Sequence, residues 1–294
     1  MSINNRYDFV YFFYVKDGNP NGDPDSGNMP RVDIETGHGL VTDVCLKRKI
    51  RNYIGLKMGN VPPYEIYVRE KAILNNQHAR AYAATGLTQE MCGQTKKTQD
   101  SIIIVDEVKK WMCSNFYDIR TFGAVMSTNI NCGQVKGPIQ IAFSRSIDPI
   151  LIQEHTITRC AVMTVSQAEK QSGENRMMGK KYTIPFAIYR CHGHISAHFS
   201  QQTGFNETDL ALFWESLINM FNIDHSAAKG EMGPCALYVF KHDSSLGNAP
   251  AHKLFEIIKT THTSTLPLRD IKDCEFSIDI ESLPKGVTVN CLYG

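Results

Sequence analysis

The spacing of apolar and polar positions along the 294-residue chain changes several times. Residues 7–15 (YDFVYFFYV) are almost continuously aromatic or β-branched, which predicts a buried strand. The Gly- and Pro-rich stretch 17–39 that follows is incompatible with a helix or a central strand. Thr42 is placed as the N-cap of a helix over 43–56, where Leu46, Ile50, Tyr53 and Ile54 form one apolar stripe. Residues 62–115 break this pattern, with short apolar runs and a helix predicted over 101–115 on Ile102, Val105, Val108, Trp111 and Met112. They read as an insertion outside the main sheet. Strand-like runs return at 118–126, 135–144, 156–165, 183–189, 194–199, 235–240 and 274–280. Between them, residues 166–181 are polar around Met177 and Met178. The clearest helix covers 206–222, with Leu210, Phe213, Trp214, Leu217, Ile218 and Phe221 on one face and Asn206 as its cap.

Strands and helices do not alternate tightly, so a doubly wound parallel sheet is disfavoured. The order predicts an α+β chain: an antiparallel sheet carrying two helices on one face, the ferredoxin-like (RRM-like) arrangement of RNA-recognition modules.

Composition sharpens this picture at three points. Lys and Arg number 31 against 30 Asp and Glu, so the net charge is only +1, and a nucleic-acid surface must come from local placement of charge. Nine cysteines without a CxxC pair are expected to be free thiols in a reducing cytoplasm. The N-terminus lacks the basic and small-residue flanks of a signal peptide, and no apolar run approaches a membrane span, so no membrane partner is expected.

Each candidate chemistry has a plainer rival. No P-loop motif is present. Asp17 to Asn28 opens like a calcium loop, but Asn28 stands where a bidentate Glu is required, so Asx and Gly turns explain it better. Cys191, His192 and His194 alternate along a strand, which puts Cys191 and His192 on opposite faces, and no second ligand pair has zinc spacing. Asp224, His225 and Ser226 are contiguous and form no triad. Neither a metal nor a cofactor is expected. Gly37-His38-Gly39 lies just ahead of a helix N-terminus, whose free N–H groups suit an anion. The helix after it carries Lys47, Arg48, Lys49 and Arg51 with little balancing acid beyond Asp43, either a solvated face or a phosphate contact. Lys170, Arg176, Lys180 and Lys181 surround Met177 and Met178, either as a surface loop or as a hairpin whose apolar tip wedges between bases.

Residues 19–53, 118–126, 131–150, 156–162, 178–190, 203–221, 224–232 and 247–256, in order, together resemble the backbone subunit of type I-C CRISPR surveillance (Cascade) complexes, the Cas-seven family. The resemblance implies an RRM-like palm (residues 1–61, 116–165 and 182–294), an inserted finger lobe (62–115) and a thumb hairpin (166–181). It implies copies stacked head to tail on a CRISPR guide RNA, gripped by its backbone without sequence preference, with bases left to pair with target DNA. It also implies other type I-C subunits as partners and no enzymatic role. Within the matched stretches and the hairpin the candidate RNA contacts are Asn21, Arg31, His38, Lys47, Arg48, Arg51, Arg120, Arg145, Arg159, Arg176, Met177, Met178, Lys180 and Lys181. The alternative is a metal-dependent ribonuclease of the related type III kind, using Asp23, Asp25 or Asp33 of the first loop.

Overall fold

A computed structural model describes residues 2–87, 99–128, 130–170, 177–265 and 267–294. The aromatic run forms the middle of a sheet, β1 (Tyr7–Gly18), because both of its faces are covered. Odd-numbered Phe9, Tyr11, Phe13 and Val15 enter one core, even-numbered Val10 and Phe12 another. A strand buried on both faces needs no polar alternation, which is why the run is continuous.

The chain then makes the short ladder β2 (Gly22–Asp23) with β3 (Met29–Pro30), the edge strand β4 (His38–Val41) and helix α1 (Asp43–Lys57). Thr42 caps α1 as expected, its hydroxyl accepting from the Cys45 N–H at 3.3 Å. Helices α2 (Leu74–Thr85), α3 (Gln99–Asn115) and α4 (Tyr117–Phe122) lead to the hairpin β5 (Gly123–Ser127) and β6 (Asn131–Lys136). Strands β7 (Ile139–Ile141), β8 (Ser144–Pro149) and β9 (Gln153–Arg159) precede α5 (Val165–Lys170) and the 19-residue β10 (Met177–Ile195). The rest is α6 (Ala197–Thr203), α7 (Glu207–Asn219), β11 (Glu231–His242), α8 (Ala251–Ile257), β12 (Ile258–His262), β13 (Cys274–Ile278) and β14 (Val287–Tyr293).

The main sheet runs β14–β11–β1–β10–β8–β4, with β7 and β9 also on β10, and its pairings are antiparallel. This bears out a mixed α/β chain built on a large antiparallel sheet. Leu46, Ile50 and Ile54 of α1 and Leu210, Phe213 and Leu217 of α7 cover one face. Leu254, Phe255 and Ile257 of α8, with Ile258, Leu268 and Cys274, cover the other. A third core joins Tyr67, Tyr82, Val108, Met112, Phe116, Ile119, Met126 and Cys132, drawn from the segment before α2 through β6. Asn206 caps α7 in a reciprocal capping box with Asp209.

Three expectations for strands need correction. Residues 118–126 are most of the helix α4 followed by β5: all six residues of α4 are buried between two cores, and Asp118 and Arg120, which alternate with Tyr117 and Ile119 as they would in a strand, are buried in ion pairs with Arg51 and Asp209. Residues 194–199 leave the sheet at Ile195, where the Ser196 hydroxyl accepts from the Phe199 N–H at 3.4 Å and starts α6. The strand expected over 156–165 ends at Arg159, and Val165 begins α5. Cys191 and His192 do face opposite sides, Cys191 in the first core and His192 stacked on Phe255 at 4.2 Å.

Candidate nucleic-acid interface

The first loop is bound tightly to the start of α1. Asn21 Oδ1 accepts from both the N–H and the hydroxyl of Thr42, each at 2.9 Å, and so spends its acceptor on the helix cap. The His38 ring bonds to the Ser146 carbonyl at 2.7 Å, so both residues are parts of the loop's framework. Arg31 pairs with Asp23 at 3.3 Å, while its Nε is buried with no hydrogen-bond partner among the described residues. Arg145 pairs with Asp33 and holds that carboxyl down at about 2, with help from the Thr36 hydroxyl. Asp23 also accepts from the Asp25 N–H at 3.2 Å, and Asp25 itself is exposed. Among the described residues no three His, Cys, Asp or Glu side chains converge as metal ligands.

The cations of α1 do not form one exposed face. Lys47 pairs with Asp43 at 2.8 Å and lies over the Phe122 ring. Lys49 is 3% exposed and pairs with Asp224. Arg51 donates to the buried Asp118 at 2.7 Å, a carboxylate that also accepts from the Tyr67 and Val68 N–H groups. Arg48 alone of the four is mostly exposed, at 68%, with a 3.4 Å contact to the exposed Glu70. The expected lack of balancing acid is therefore corrected: Glu70, Asp118 and Asp224 arrive from distant segments. Arg51 is corrected as a nucleic-acid contact, since its guanidinium is committed inside the fold.

Arg120 needs the same correction. It is 5% exposed and grips buried Asp209 through two bonds of 2.9 and 2.8 Å, tying α4 to α7. A guanidinium in that fork holds the protein together and has no face left for a phosphate.

Sequence reasoning missed Lys229. Its ammonium donates to the Pro20 carbonyl at 2.7 Å. Burial lowers its proton affinity, and the nearby charges of Lys49 and Arg48 push the same way. The turn carrying it is clamped to the end of β1: the Asn19 N–H donates to the Ala228 carbonyl at 2.8 Å, and Gly230 has φ +61. A β-carbon at Gly18 would strike the Lys229 carbonyl, and one at Gly230 those of Lys16 and Asp17. Gly230 was the available signal, since glycine is favoured where the backbone needs a positive φ or approaches another segment closely. Arg48, Lys49 and Lys229 thus concentrate positive charge where the first loop meets α1, and Asp224 offsets part of it.

The second feature is an arm. Residues 153–159 of β9 pair with 177–183 of β10, and every residue of β9 is exposed. Met178 is 78% exposed and Ile157 53% exposed; Met178 faces Thr158 across the ladder and Gly179 faces Ile157. Lys180 pairs with Glu154 at 2.7 Å, Lys181 is half-buried, and Arg159 donates to the Ala161 carbonyl at 2.7 Å. Arg176 lies outside the described residues, and of Met177 only the backbone position, opposite Arg159, is described. The structure thus brings together Met178, Lys180, Lys181 and Arg159 on the arm, and Asn21, Arg31, His38 and Arg145 around the first loop.

The family model of CRISPR-associated protein Cas7 matches residues 5–279. The CRISPR-associated protein Cas7 of Haloferax volcanii is 22% identical over 293 residues, spanning 93% of this chain and 80% of the relative. A chain of a CRISPR RNA-guided surveillance complex in its pre-nicking state superposes with a TM-score of 0.51 at 13% identity, covering 80% of this chain and 78% of that one. A chain of another CRISPR RNA-guided surveillance complex gives a TM-score of 0.46 at 13% identity over 80% of this chain and 68% of that chain. With residues 5–279 of its 294 matched by the family model, the chain belongs to the CRISPR-associated Cas7 family.

Proposed function

We propose that this protein binds a CRISPR guide RNA along its sugar-phosphate backbone, without sequence preference, as one of several head-to-tail copies in a type I-C surveillance complex, and performs no chemistry itself. The observation that carries the reading is the cationic junction at the first loop and the start of α1, where exposed Arg48 is the cation offered to a phosphate and the withdrawn Lys49 and Lys229 add to the local positive charge. Cations placed on a loop and a helix contact phosphates, which set register but carry no sequence information. Family membership supports the reading, and so does topology. The segments β1, α1, β8, β10, α7 and β11 follow the β-α-β-β-α-β order of a ferredoxin-like module, with β11–β1–β10–β8 side by side. The sheet face that an ordinary RNA-recognition module offers for stacking is occupied here by α8 and its neighbours, which favours backbone over base contacts.

In this reading the body of the sheet is the palm, residues 62–115, which share the third core with the adjoining palm segment, are the inserted finger, and residues 166–181, which reach the β9–β10 arm, are the thumb, with Met178 exposed to displace a base. The +1 net charge fits a filament in which a basic groove is offset by acidic surface elsewhere. Target DNA is engaged through pairing with the guide.

The test is co-expression with a guide array followed by size-exclusion chromatography read at two wavelengths. Multiple copies eluting with RNA are expected; an RNA-free monomer overturns the reading. Incubating the assembled complex with complementary RNA and Mg²⁺ tests the absence of chemistry, and cleavage at regular intervals would establish a ribonuclease instead.

A further inference from the structure

Asn19 lies beside the cationic junction, at the point where β1 leaves the sheet, and is 5% exposed. Its Nδ2 donates to the Asn28 carbonyl at 2.7 Å and its backbone N–H to Ala228 at 2.8 Å. Its Oδ1 is buried and has no hydrogen-bond partner among the described residues. The Nδ2 bond settles which end of the amide is the oxygen. A buried acceptor without a donor is costly and calls for a use. The next residue, Pro20, takes the Lys229 ammonium on its carbonyl, so the idle acceptor borders the cationic junction.

An O–H donor next to a phosphate is what a ribose offers and a deoxyribose lacks. The acceptor is also a neutral amide, which can take a hydroxyl without repelling the phosphates on either side, as a carboxylate would. We propose that Asn19 Oδ1 accepts the 2′-hydroxyl of the bound strand and makes this junction selective for RNA over DNA. The inference rests on the guide-RNA reading above. Residues 24–29, all exposed, carry the turn whose Asn28 covers Asn19, so contact with a sugar requires this turn to move.

The experiment measures fluorescence anisotropy of the full chain with single strands of one sequence carrying 2′-hydroxyl, 2′-deoxy or 2′-fluoro sugars. The fluoro strand keeps the ribose pucker but cannot donate, so it isolates the hydrogen bond and requires no variant to fold. The wild type is expected to bind the hydroxyl strand about 5-fold more tightly than either other strand, the worth of one neutral hydrogen bond. Asn19→Leu is expected to lose that margin and bind all three alike, at the wild-type affinity for DNA. A 2′-fluoro strand that binds as tightly as RNA overturns the proposal, as does an Asn19→Leu variant that weakens RNA and DNA equally. A wild type that binds none of the strands defeats the guide-RNA reading itself.

Discussion

Lys47, Arg48, Lys49 and Arg51 are alike in sequence and unlike in the folded chain. Three are paired and largely withdrawn from water, and only Arg48 is available to a ligand at little cost to the fold. Arg48→Glu is therefore expected to weaken guide binding by a similar factor for every sequence, and to reduce the slope of log affinity against log salt by about 1. Filter binding across a salt series measures both, and an unchanged slope would remove Arg48 from the interface. Arg120 belongs to the other class. Arg120→Met strands the fully buried Asp209 carboxylate, and a loss of about 3–5 kcal/mol is expected. Urea unfolding at neutral pH measures it, and a loss near that of a surface change would show the fork to be dispensable.

At the scale of elements, none of the described residues 153–159 and 178–183 of the β9–β10 arm belongs to any of the three hydrophobic cores. Its ladder is exposed along β9, and the ion pair between Lys180 and Glu154 is in solvent, where such pairs contribute little. Met178 is exposed on this arm, as the proposed wedge requires. Met178→Gly is expected to leave guide affinity close to wild type while restoring stacking of the base it displaces. A 2-aminopurine placed at successive guide positions reports this as quenched fluorescence. Fluorescence unchanged at every position would exclude Met178 as the wedge.

At the scale of the molecule, the sheet is fastened at one end by Asp8. This buried carboxylate is met by Arg6 at 2.9 Å, by the His194 ring at 2.6 Å and by the His242 ring at 2.8 Å, joining β1, β10 and β11. Burial alone would raise its pKa, but the bonds from His194 and His242 and the Arg6 charge outweigh that and bring it from 3.8 to about 2. A folded pKa below the unfolded one stabilises at neutral pH, and the gain disappears as pH falls towards the folded value. Asp8 thus contributes on the order of 2 kcal/mol above about pH 5, lost progressively below it. Urea midpoints between pH 7 and pH 3 should fall for the wild type and fall less steeply for Asp8→Asn. Parallel curves for the two proteins would show that Asp8 is not the group responsible.

Local pattern alone settled much of this protein. The doubly covered strand 7–15, the Thr42 and Asn206 caps and the apolar stripes of α1 and α7 were legible because period, cap chemistry and turn residues act within a few positions. So were the opposite-facing Cys191 and His192, and the Gly- and Pro-rich loop that stays out of the centre of the sheet. The tertiary structure decided which charges are free. Asp118 is 67 positions from Arg51 and Asp209 is 89 positions from Arg120, distances across which no periodicity operates. It also decided that 117–122 is helical, because Asp118 and Arg120 are buried in ion pairs with distant partners and their alternation therefore marks no solvent face. Lys229 and Asn19 gain their significance the same way: two backbone turns meet without a side chain between them at Gly18 and Gly230, and that contact exists only once β1 and β11 are paired.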